Sequence, residues 1–377
     1  MRLHIAPGPL SATPETLRAL WTRWRSRTAP DHALRGLGPV FLDAGQSEAG
    51  WHRIQTYLAC PRLFYWLYEF PRQVRGGIEA QAVGWSAKGV PASAANLEPE
   101  VVQAFLRYES PALVRGSLVH ILVAHFSARW AAERGGFRYV WMGPKGPDGF
   151  PTYQERLVVD PLEIVEPELA AYLSAGRMLV EERRDERTVV RELKTALDAY
   201  EVWRGPQARL MVGLDVLGVE TPMVQTIQTA AGPKRLSVRV DRIIGETYTR
   251  RVRFEDHKTS LTPELKATLD LYTISGQIGL LYRFGVTFYG PKFIGVYLNI
   301  IGVDQKRTML HQIPAPPAPA VAEDVMTAIA IGEEGIAQSR ERGYFPPVLS
   351  PYVCKHIAGG RKCDAWDLCT LGPGARR

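Results

Sequence analysis

Between Leu210 and His257 the chain runs through four strand-like segments in succession: Leu210 to Glu220, Met223 to Thr229, Arg235 to Ile244 and Thr249 to His257. A helical segment follows, from about Pro263 to Phe284, and then a further strand, Phe293 to Ile301. A series of strands followed by a helix and a further strand predicts an α/β core near the C-terminal half of the chain. Ahead of that core, helical periodicity runs through residues 100–134 and 162–203, which predicts an N-terminal helical region. The charge run Glu181-Glu182-Arg183-Arg184-Asp185-Glu186-Arg187 fits a solvated helix face. After the core, Pro314 to Pro319 reads as a stiff linker, and a helix from about Val321 to Arg342 leads into a cysteine-bearing tail. The expected divisions are an arm at 1–50, a helical region at 51–205, the core at 206–312, and linker, helix and tail at 313–377.

Bulk properties narrow the class of partner. The formal charge of +7, from 46 Lys+Arg against 39 Asp+Glu, favours a polyanion through counterion release. No apolar run reaches the roughly 18 residues that a membrane span needs, and the start lacks the apolar stretch of a secretory signal. Residues 15–25 carry Leu17, Leu20, Trp21 and Trp24 beside Arg18, Arg23 and Arg25, an amphipathic helix rather than a transit segment. The expected location is cytoplasmic, with no membrane partner. Cys60 stands near the front of the chain, whereas Cys354, Cys363 and Cys369 crowd its end. That distribution suits a soft metal or a cluster in a reducing compartment better than disulfides. Four thiolates can hold a [4Fe–4S] cluster or Zn²⁺; no Cys-x₂-Cys knuckle stands here to favour zinc.

The chemistry centres on Phe254-Glu255-Asp256-His257-Lys258-Thr259. Alternate side chains of a strand share a face, so Asp256 and Lys258 point one way and His257 the other. If the preceding strand pairs with this one, Asp241 converges on the Asp256 face. Two carboxylates and an ammonium suit a hard divalent ion, an activated water and a phosphate. His125 has no such context and reads as structural. Aromatic residues from Trp51 through Tyr57, Phe64, Tyr65 and Trp66 are candidates for base stacking, although Phe64 and Trp66 suit core packing better.

These segments together resemble the PD-(D/E)XK nuclease superfamily, specifically its RecB-like branch. The resemblance spans about residues 51 to 370. Arg235 to Ile244 matches the strand bearing the first acidic residue, Asp241, although Ser237-Val238-Arg239-Val240 lacks that motif's glycine. Asp256-His257-Lys258 matches the Asp-x-Lys element, and Gln277 the glutamine of the next helix. Gly116-Ser117-Leu118-Val119-His120 matches a Gly-x-x-x-His helix. Tyr282 falls one position beyond the family's usual tyrosine.

The resemblance implies a restriction-endonuclease-like α/β core, with a mixed central β-sheet flanked by helices, and a Mg²⁺- or Mn²⁺-dependent deoxyribonuclease, commonly an exonuclease on single strands or DNA ends in recombination, repair or CRISPR adaptation. It implies metal ligation by Asp241, Asp256, His120 and the His257 carbonyl, with Glu220 as a weaker candidate. Lys258 and Gln277 would be catalytic. Cys60, Cys354, Cys363 and Cys369 are similar to the iron–sulfur staple of AddB-type and CRISPR-associated RecB-like nucleases. The eight residues between Cys354 and Cys363 exceed that family's spacing. No Walker-type phosphate loop is present, so unwinding would fall to a helicase or another subunit. The competing reading is a catalytically silent nucleic-acid-binding or assembly subunit that keeps the fold.

Overall fold

The computed structural model describes residues 50–69, 115–116, 118–120, 122–127, 130, 141–145, 151–154, 194–201, 203–204, 211–260, 272–303, 308–317 and 319–348. The arm helix at 15–25, the loop expected at 75–98, and Cys354, Cys363 and Cys369 lie outside these residues. The chain forms two compact units, one comprising 1–45, 110–225 and 237–325, the other 46–109, 226–236 and 326–377.

The architecture is mixed α/β. A five-stranded sheet, which belongs to the first unit apart from the β3–β4 tip at 226–236, runs in the order β3 (Leu214–Thr229), β4 (Gly232–Glu246), β5 (Val252–Ser260), β6 (Phe293–Val303), β7 (Thr308–Pro314). A separate antiparallel hairpin, β1 (Trp141–Lys145) and β2 (Pro151–Gln154), was not expected from the sequence. β4 and β5 are antiparallel, β5 and β6 parallel, and β6 and β7 antiparallel. A parallel pair needs a long crossover. Helix α2 (Gly276–Tyr289; α1 is Trp51–Ala59) lies within it.

The two segments expected at 210–220 and 223–229 are one strand, β3, with Glu220 inside it. Among the described residues β3 is an edge strand, which is where Pro222, lacking an N–H, can be tolerated. The helix expected from Pro263 to Phe284 is described only from its later part. It continues five residues further, to Tyr289, and Gly290 at φ 56 closes it. β7 is a correction to the sequence reading, which placed no strand between Ile301 and the proline run. The helix expected at Val321 to Arg342 is α3 (Pro319–Arg342).

Central strand β5 is covered on both faces. Phe254 packs against Phe293 (4.8 Å between centroids) and Tyr289 of α2 (5.9 Å), so α2 lies over the face that also carries Asp256 and Lys258. Tyr282 packs on Phe293 at 5.7 Å. The opposite face carries Arg253, Glu255 and His257 and meets Trp203, whose ring stands 5.9 Å from that of His257. This face holds an ionic network instead of apolar packing. Arg242 donates to both Glu255 (Nε to Oε2, 2.7 Å) and Ser127, and its guanidinium stacks on Trp203. Glu255 also accepts from Arg253, Asn299 and Gln312 at 2.9, 3.1 and 2.9 Å.

In the second unit, α1 packs on α3. A Cβ at Gly332 would lie 2.6 Å from Ile54, and one at Gly335 2.6 Å from Tyr57, so these glycines are what let the helices approach. A buried Arg53–Glu333 pair and a Tyr57–Ser339 hydrogen bond of 2.9 Å complete the contact. Phe64, Tyr65 and Trp66 are fully buried, Phe64 and Tyr65 against Phe345. None of the three is placed to stack on a nucleic-acid base. Among the described residues no helix is long and apolar enough to cross a membrane.

Candidate metal centre

The site lies where the β4–β5 ladder gives way. Backbone pairing joins Arg242–Gly245 to Val252–Glu255. Just beyond it, the N–H of His257 donates to the carboxylate of Asp241 (2.7 Å to Oδ2), so a side chain replaces the carbonyl that a regular ladder would offer. Asp241 is thereby fixed to β5. The same oxygen is 3.5 Å from Nδ1 of His120.

His120 reaches Asp241 because its helical segment comes close to the sheet. A Cβ at Gly116, one turn earlier, would stand 3.2 Å from Thr259 Oγ1 of β5. That close approach is the physical content of the Gly-x-x-x-His spacing. His125, further along, is deeply buried, which lowers its pKa to about 3 and keeps it neutral. It takes no part in the site.

Glu220 enters by a backbone distortion. Its φ of 45 is in the left-handed region, costly for a residue other than glycine. The distortion interrupts the alternation of β3 and re-aims the side chain. One ligand atom each from His120, Glu220 and Asp241 lies within 4.8 Å of the others. Glu220 also pairs with Arg239 Nε at 2.9 Å.

Asp256 is engaged differently. Lys258 Nζ is 2.7 Å from its Oδ2, and Gln277 Nε2, in the first turn of α2, donates to Oδ1 at 3.1 Å. Burial raises the Asp256 pKa, opposed by Lys258 and reinforced by Asp241. Burial works against a charged Lys258, but Asp256 and Asp241 outweigh it and hold the amine protonated well above neutral pH. The ring of Tyr272 lies 5.8 Å from this ammonium. Lys258 is therefore a standing cation, suited to stabilising negative charge and unsuited to accepting a proton.

The His257 side chain leaves β5 on the face opposite Asp256 and Lys258, with its ring edge-on to that of His120 at 5.9 Å. Burial, then the charge of Arg242, lower its pKa, and Asn299 Nδ2 donates to Nδ1 at 3.2 Å, leaving the ring proton on Nε2. Its contribution on the site side is its backbone.

The structure thus groups His120, Glu220 and Asp241 around one point, with Asp256, Lys258 and Gln277 in a bonded set on the adjoining strand. Arg239 is the member that sequence reasoning missed. Its only signal was the i, i+2 spacing to Asp241, which a solvent-facing arginine would share.

No family model and no curated protein matches this chain. Among solved structures, the crystal structure of SSO0001 is similar over 53% of this chain and 98% of its own, with 13% identity and a TM-score of 0.25. A chain named "Putative exonuclease", from Eubacterium rectale, is similar over 57% of this chain and 73% of its own, with 12% identity and a TM-score of 0.30. Superpositions this loose do not define an activity.

Proposed function

We propose that this protein is a divalent-metal-dependent nuclease that hydrolyses phosphodiester bonds in DNA, at single strands or ends. The observation that carries the reading is the convergence of one imidazole and two carboxylates within 4.8 Å, beside a lysine held charged by Asp256. One nitrogen and two anionic oxygens fit Mg²⁺ or, because of the imidazole, Mn²⁺. His120, Glu220 and Asp241 would hold the ion, with Asp256 and the His257 carbonyl as further donors. A bound ion would supply an activated water and neutralise charge on the phosphate. Lys258 would stabilise the negative charge that builds on the phosphorus-bound oxygens. Gln277 and Lys258 hold the Asp256 carboxylate from both sides, and the His257 N–H pins Asp241.

The test is incubation of the protein with end-labelled single-stranded, end-labelled duplex and circular DNA plus Mn²⁺. Loss of label from ended substrates, with circles spared, is expected. Inertness on every substrate would instead leave an assembly or binding subunit, acting with a helicase or other partner.

We further propose that Cys60, Cys354, Cys363 and Cys369 hold an iron–sulfur cluster. Cys60 is buried in the second unit. Two residues on, the Arg62 N–H donates to Pro346 O at 3.2 Å, and its Nε to Phe345 O at 2.7 Å. These bonds hold the Cys60 segment against chain that lies eight positions before Cys354. Protein purified without oxygen should be brown and carry iron and sulfide, and Cys60→Ser should lose both. A colourless wild type with one bound zinc would replace the cluster by the alternative metal.

A further inference from the structure

Resting on the nuclease reading of this site, we propose that Arg239 is a substrate-binding residue that grips a backbone phosphate, and that Glu220 couples its availability to metal binding. Arg239 and Asp241 are two apart on β4 and so share a face. The Arg239 side chain is 40% exposed, against 13% for its partner Glu220. Lys258, the other cation of the site, is 25% exposed and committed to Asp256 at 2.7 Å. Of the two, Arg239 is the cation more accessible to an incoming anion.

Three carboxylates, Glu220, Asp241 and Asp256, would repel a phosphodiester unless cations offset them. The guanidinium is a planar fork with five donors, suited to bidentate contact with phosphate oxygens. Its present partner is also one of the three residues grouped as ligands. When Glu220 turns its charge to a cation shared with His120 and Asp241, Arg239 loses part of its counter-charge and becomes a better phosphate donor. Metal and DNA then favour one another through one side chain.

This coupling makes a prediction whose sign separates it from a structural role. If Arg239 competes for Glu220, Arg239→Gln should tighten Mn²⁺ binding without DNA, by about two- to fivefold in calorimetry. If Arg239 merely orients Glu220 as a ligand, the same variant should weaken it. In Ca²⁺, fluorescence anisotropy with a single-stranded oligonucleotide should show affinity reduced about tenfold in Arg239→Gln and partly restored in Arg239→Lys. The slope of log affinity on log salt should fall by about one. Weaker or unchanged Mn²⁺ binding overturns the coupling. Unchanged oligonucleotide affinity, or no binding by the wild type, overturns the phosphate role. Failure of the wild type to cleave any DNA removes the nuclease reading, while both binding measurements still decide the role of Arg239.

Discussion

Asp241→Asn should lower the Mn²⁺-dependent cleavage rate by roughly 10³-fold and leave the melting temperature close to that of wild type. The two halves of this expectation come from the two jobs of one carboxylate. Its Oδ2 accepts the His257 N–H at 2.7 Å, and an asparagine oxygen can keep that bond. The negative charge that groups with His120 and Glu220 cannot be kept. Asp241→Ala is the instructive contrast. It removes the acceptor as well, leaving the His257 N–H unsatisfied at a cost of about 1–3 kcal/mol, so that activity and stability fall together. Initial rates on an end-labelled single strand, set beside thermal denaturation of each variant, check both halves. Cleavage by Asp241→Asn within tenfold of wild type would remove Asp241 from the chemistry.

The parts of this site that could be read in the sequence are those governed by strict periodicity. Alternation along a strand put Asp256 and Lys258 on one face and His257 on the other, and the structure places their side chains that way. What was read weakly or not at all depends on departures from periodicity or on partners distant in sequence. Glu220 looked like a strand end because the left-handed turn of its backbone leaves no mark beyond Gly218 and Pro222 nearby. A Cβ at Gly218 would lie 2.3 Å from Thr221 Oγ1, so the local path is crowded in a way that only coordinates reveal. The hairpin of β1 and β2 contains Pro144 and Pro151 and too few β-branched residues to announce strands. The join of β3 across Glu220 to Pro222 was hidden for a similar reason: a proline inside a strand-like run reads as a break unless the strand is an edge. Arg242, Arg253 and Glu255 carry a network that the sequence does not announce. Charged residues on a strand suggest solvent, yet Arg242 is 1% exposed and Glu255 is fully buried, because Glu255 is met by Arg242 of the neighbouring strand and by Arg253 of its own.

That inner network underlies the second large effect, a loss of stability. Glu255→Leu should cost about 3–5 kcal/mol, lowering the melting temperature by on the order of 10 °C. The loss comes less from the pair itself than from the cation left behind. Arg242 is enclosed by Trp203, Ser127 and Met211 and is bonded to the Glu255 carboxylate by two of its nitrogens. Arg253 keeps other partners when Glu255 is removed, since Glu246 lies 3.7 Å from it and Gln312 also accepts from it. Removing both members of the central pair, as Arg242→Met with Glu255→Leu, should therefore recover much of the loss, and a double-mutant cycle in urea measures the coupling. The pH dependence has a definite sign. Burial alone would raise the Glu255 pKa, but the charges of Arg242 and Arg253 and their hydrogen bonds prevail and hold it below the ordinary glutamate value. Its contribution is then complete above the unfolded value near 4.5 and is lost as the pH falls through the lower folded value. Wild type should lose stability steeply across that acid range, and Glu255→Leu, already weakened, should show a shallower slope there. Equal acid slopes for the two proteins would mean that Glu255 is not held ionised, and that the network is neutral hydrogen bonding around a protonated acid.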